Sequence, residues 1–136
     1  MTDHATNHAG ALEASLALYA EAAGDPVAPV YARLFAQEPA MAAEFWRDAS
    51  GAIRGEMLTR TLEVAADLAG PRGWAPAFLA TEIITHENYG IPRGVFVQFL
   101  PIVAAEIAAG CGTGFTPAMA AAWSAVLAEA ERHLRP

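Results

Sequence analysis

Apolar residues in this chain recur every three or four positions inside alanine-rich runs, and nowhere do they alternate at period two between turn residues. That spacing stacks side chains on one face of a helix, whereas a half-buried strand needs alternation. The chain therefore reads as all-α, with six to seven helices whose ends are set by glycine and proline. With 54% hydrophobic residues in 136 and no repeat or linker, a single core is expected to serve residues 10–136, behind a loose polar tail at 1–9.

The first helix is expected from about Ala11 to Ala23, with Leu12, Leu16 and Tyr19 on one face and Gly24 as its stop. Asp25-Pro26 starts the second: Asp25 can accept from free first-turn amides, and Pro26 lacks the N–H that would be free there anyway. Tyr31, Leu34 and Phe35 share one face of it, and Pro39 ends or kinks it. After Phe45 and Trp46, the polar stretch Arg47 to Gly51 opens a longer helix to about Ala69, on which Arg54, Leu58, Thr61, Leu62 and Ala65 are spaced by threes and fours; Gly70-Pro71 closes it. Leu79, Ile83 and His86 form the stripe of the next helix, which stops near Gly90 because Ile91 precedes a proline. Phe96, Phe99, Leu100, Val103 and Ile107 line another helix, bent at Pro101. Thr116-Pro117 opens the last, with Met119, Trp123, Val126, Leu127 and Ala130 inward.

Charge narrows the partners. The net charge is −7 and the eight basic residues are scattered arginines, so a phosphate backbone is not an expected ligand. The longest apolar stretch, Gly94 to Ala109, is interrupted by Gln98, Pro101 and Glu106 and falls short of the roughly 18 uninterrupted residues of a spanning helix, so no membrane segment is expected. Cys111 is the one cysteine and has no internal partner, which leaves an incidental thiol or a dimer disulfide; the N-terminus lacks a basic start and an apolar run, and a cytoplasmic location is expected. Met41, Met57 and Met119 read as gap fillers and Trp123 as core, while His4, His8 and His133 near the termini read as solvated. A small ligand is the best-matched partner.

His86 carries the chemistry. A histidine on an apolar stripe is either a hydrogen-bonded core residue or a ligand to a metal or haem. No second histidine stands at ligand spacing and there is no Cys/His cluster, which speaks against a protein-only zinc site. Around it, HENYGIPRGVF (86–96) resembles the proximal histidine, tight corner and following helix of the globin family. VYARLFAQEPAMAAEF (30–45) resembles that family's second helix, turn proline and corner phenylalanine, and FTPAMAAAW (115–123) resembles the start of its last helix.

The resemblance, which spans roughly Leu12 to Leu134, implies a globin fold around haem (iron protoporphyrin IX), similar to the haem domain of bacterial flavohaemoglobins. In its terms His86 resembles the iron ligand, Phe45 the ring packed on the haem, Pro39 the turn proline and Tyr31 the distal tyrosine, fourteen residues before Phe45 as in flavohaemoglobins. A buried phenol needs a partner, and dioxygen at the iron would supply one. Arg54, followed by Gly55, stands where the family often has histidine or glutamine, with Leu58 covering the haem; Ile53 with Met57 is the competing register. Arg54 would donate to the ligand or reach a propionate.

No histidine occupies that segment, so the implied sixth position stays open to dioxygen, carbon monoxide or nitric oxide. Gas binding is the expected role rather than catalysis. Nitric oxide dioxygenation is the activity that could attach to it, with electrons from an external reductase, since the helices counted leave no room for a reductase domain. Phe96 stands where flavohaemoglobins place a tyrosine that supports the proximal histidine, which implies weak electron push. The runner-up is a gas sensor or interaction module on the same scaffold, in the extreme haem-free, acting through a partner protein. Alanine-rich helix surfaces leave a homodimer open.

Overall fold

Gly24, with φ +85°, and Gly90, with φ +91°, both adopt the left-handed backbone that only glycine takes freely, and each stops a helix where the pattern breaks. The computed structural model describes residues 3–135, with side chains from residue 8 onward. Its helices are α1 (Asp3–Ala23), α2 (Val27–Gln37), α3 (Ala52–Ala69), α4 (Ala75–Asn88), α5 (Arg93–Phe96), α6 (Phe99–Cys111) and α7 (Pro117–Leu134), with 3-10 turns at Pro39–Phe45 and Gly112–Gly114. Among the described residues there is no strand.

Local chemistry explains most of the boundaries. Asp25 Oδ1 accepts from the Val27 amide at 3.0 Å at the start of α2, and Thr116 Oγ1 accepts from the Met119 amide at 3.1 Å at the start of α7. The α3–α4 corner is closed by one carboxylate: Asp67 accepts from the amides of Gly73, Trp74 and Ala75 at 3.1, 3.1 and 2.8 Å. Burial alone would raise the Asp67 carboxyl, but these three amide donors outweigh it and hold the group below its ordinary range.

Two elements differ from expectation. α1 begins at Asp3 instead of near Ala11, because nothing in residues 3–9 breaks a helix and Gly10 is tolerated at a cost of about 1 kcal/mol; residues 1 and 2 and the side chain of His4 lie outside the described residues. The helix expected across Phe96 and Ile107 is divided at Val97 and Gln98, so that Pro101 falls in the first turn of α6, where its missing N–H leaves no bond unmade.

α1 lies across α3, α6 and α7; α4 packs on α7 and α3, and α2 packs on α6. Buried residues from these helices form one cluster. Ser15 joins three elements at its centre: its hydroxyl accepts from Trp123 Nε1 at 2.9 Å and donates to the Leu12 carbonyl, and its carbonyl accepts from Cys111 Sγ at 3.3 Å. Cys111 is thus buried, with burial pushing its thiol up, which removes it from reach of an intermolecular disulfide. By length and composition alone the run Arg93–Gly114 is apolar enough to cross a membrane, with mean hydropathy 1.7. In the fold it is divided between α5 and α6, and its Glu106 accepts from Arg33 Nε and from the Tyr19 hydroxyl, both at 2.7 Å.

Candidate functional site

Between α2, α3, α4 and the α5–α6 corner lies a cavity of about 720 Å³, inside the usual range of roughly 300–1,000 Å³ for small-molecule and cofactor sites. Leu34, Met57, Val64, Leu79, Phe99 and Leu100 are among the apolar side chains on its wall.

His86 reaches the wall from the last turn of α4. Its Nδ1 lies 2.8 Å from the main-chain carbonyl oxygen of Glu82. A carbonyl oxygen only accepts, so Nδ1 carries the hydrogen, and a neutral ring held this way keeps its lone pair at Nε2, the nitrogen free for a ligand. Phe96 packs against the ring with centroids 4.6 Å apart, and the Glu82 carboxylate approaches Nδ1 to 3.8 Å.

Tyr31 is 2% exposed and lies in an aromatic group with Phe45, Phe99 and Phe35 at centroid distances of 5.4, 5.5 and 6.0 Å. Its hydroxyl donates to the Arg54 main-chain carbonyl at 3.2 Å. The phenol expected to need an external partner therefore has one within the chain. Burial raises its ionisation well above the ordinary tyrosine range against the opposing pull of Arg54, so it remains a donor.

Of the five expected site residues, Tyr31, Phe45 and His86 meet on this one cavity, and Arg54 and Leu58 do not. Arg54 is clamped to Asp48: its amide and its Nε bond Oδ2 at 2.9 and 3.0 Å, and Nη2 bonds the Asp48 carbonyl at 2.9 Å. Asp48 Oδ1 also takes the Ile53 amide at 3.0 Å, so one carboxylate sets the rotational phase of the start of α3. Burial works against ionisation of Asp48, but the two amides and the guanidinium outweigh it and hold its carboxyl low. In this phase Ile53 and Met57 face the cavity, Leu58 is buried in the core, and Arg54 borders a separate shallow cleft beside Gly51 and α2. The register weighed as the competitor is the one that lines the cavity.

Met41, expected as filler, is also on the wall, and His133 is not simply solvated: its Nε2 lies 3.0 Å from the Glu129 carboxylate. Two contributors were missed. Asp48 had a signal, an aspartate just ahead of a helix start; Glu82 had only its one-turn spacing from His86. At the rim, Arg47 stacks over the exposed Trp46 ring at 4.5 Å, and Arg60, Glu44 and Glu56 supply the remaining charges. Among the described residues no three His, Cys, Asp or Glu side chains converge to hold a metal ion, so any metal here would rely on the single imidazole.

No family model, characterised protein or solved structure matches the chain. The case for a function therefore rests on the cavity's own chemistry.

Proposed function

We propose that the chain is a haem-binding globin that takes dioxygen, carbon monoxide or nitric oxide at an open distal position. The observation that carries the reading is a lone imidazole with Nδ1 tied to a main-chain carbonyl and Nε2 free, on the wall of an apolar cavity of about 720 Å³. The residues fit the group: the ring is oriented by a carbonyl as ligating histidines are, aromatic side chains border the same space, and among the described residues no second histidine lines it. Bound there, haem would supply one open coordination position for a diatomic gas.

His86 would hold the metal through Nε2, with the Glu82 carbonyl fixing tautomer and ring orientation. Arg47 and Arg60 at the rim suit the propionates, a role that Arg54 cannot take while Asp48 holds its guanidinium. Ile53, Met57 and Phe45 make their side of the wall apolar. Tyr31 keeps its proton, but a hydroxyl has only one, and it is given to the Arg54 carbonyl at 3.2 Å. Rotating it toward a gas in the cavity exchanges one hydrogen bond for another, so the net stabilisation is a difference smaller than the about 0.5–1.5 kcal/mol of a typical bond. Nitric oxide dioxygenation, if carried out, draws its electrons from an external reductase.

The test is the absorption spectrum of the purified protein reconstituted with haem, in ferric, ferrous and carbonyl-bound states, beside His86→Ala. A five-coordinate ferrous spectrum that shifts with carbon monoxide, lost in the variant, supports the reading. If wild type and variant both fail to retain haem, the cofactor is wrong and a scaffold acting through a partner protein takes its place.

A further inference from the structure

We infer that Glu82 is a second group acting on His86: its carboxylate serves as an anionic neighbour to Nδ1–H and makes the ring a stronger donor at Nε2. The inference rests on the haem reading above and concerns what tunes that site. The geometry lies within one turn of α4. The Glu82 carbonyl accepts from Nδ1 at 2.8 Å, and Oε1 of the same residue stands 3.8 Å from the same nitrogen. In a regular helix that carbonyl also takes the His86 amide, so it is shared between two donors, while the carboxylate is not.

No arginine among the described residues pairs with Glu82; its ion-pair contact is His86. The side chain is half-buried on the cavity wall, where solvent screens a charge less than at an open surface. Phe96 packs against the ring with centroids 4.6 Å apart and restricts its rotation, which keeps Nδ1 on the Glu82 side. Weak electron push is what the resemblance implies from Phe96 in place of a tyrosine; the Glu82 carboxylate approaches the ring from its own helix instead. An anionic neighbour at the distal nitrogen of a ligating imidazole raises its basicity and favours the more highly charged metal.

The experiment compares wild type, Glu82→Gln and Glu87→Gln after haem reconstitution. Glu87 lies on the same helix and pairs with Arg93 at 3.4 Å, off the cavity, so its removal controls for the loss of one charge. The readouts are the iron–histidine stretching frequency of the ferrous protein and the ferric/ferrous midpoint potential. Glu82→Gln should lower the frequency and shift the ferric-to-ferrous ratio at fixed potential by about two- to fivefold toward ferrous, the size a partly exposed charge pair carries. Glu87→Gln should leave the frequency unchanged and move the ratio less. If both variants match each other, or both match wild type, while wild type holds haem through His86, this inference falls and the proposed function stands. If wild type takes up no haem, the proposed function falls and takes this inference with it.

Discussion

Where α1 crosses α6 and α7 the interior is filled to contact, whereas between α2, α3 and α4 walls of similar composition stand apart around about 720 Å³. In the filled half, Tyr19, Ile107, Trp123 and Val126 are buried; among the described residues as a whole, no buried side-chain nitrogen or oxygen is left without a partner. Beside the hollow half, Trp46 is 73% and Tyr89 81% exposed. Side chains lining a void forgo the dispersion contacts that a packed neighbour provides. The stability of the fold therefore concentrates in the first half, and the second leaves apolar surface uncovered.

A truncation to alanine on each side should separate them most. Ile107→Ala, at a site 1% exposed, opens a cavity in close packing and should cost about 2–5 kcal/mol. Met57 is only partly buried, and Met57→Ala enlarges a space that already exists, so it should cost less than the about 2–5 kcal/mol of a truncation in close packing. Chemical denaturation of both variants reads the difference. Equal losses would mean that the hollow half closes up in solution.

A second variant probes how tightly the filled half is packed. In the last turn of α6, replacing glycine by alanine ordinarily helps, by at most the about 1 kcal/mol of a helix interior. At Gly110, however, an added Cβ would overlap the Tyr19 ring, and that ring cannot swing aside because its hydroxyl is held by Glu106 at 2.7 Å. Overpacking of this kind typically costs about 1–3 kcal/mol, so Gly110→Ala should destabilise despite its propensity gain. A rise in melting temperature would show that Tyr19 is free to move.

The same contrast governs what could be read ahead of the structure. The ends of α2, with Asp25, Pro26 and Pro39, are local chemistry and were legible. The start of α1 was not, since its first turn carries no cap or breaker to mark it. For the site, three aromatic and imidazole positions on separate segments could be chosen by resemblance, and Tyr31, Phe45 and His86 do share a cavity. The phase of α3 could not: Arg54 and Ile53 are adjacent, and which one faces inward depends on a clamp from Asp48 across the loop. Glu82 was legible as a neighbour of His86 only in spacing, because its effect depends on a side-chain rotamer.

The hollow half holds its helix ends with carboxylates, and this gives the smallest expected effect, one that depends on pH. Asp67 is 6% exposed and takes three amides at the start of α4, the helix that carries His86. Its folded pKa is depressed below the unfolded value, so its contribution is fully present above the unfolded pKa of about 3.9 and is lost as pH falls through the folded one. Asp67→Asn removes the charge and replaces one of the two amide-accepting oxygens with a donor, and at pH 7 it should cost about 0.5–1.5 kcal/mol. As pH drops below about 4 the carboxyl takes up its proton first in the unfolded chain and, lower still, in the fold, and the two stability curves should converge. Urea denaturation across that window reads the gap. A gap that stays constant with pH would mean that the amides bond the side chain equally well without its charge, and that the α3–α4 corner owes its order to packing on α7.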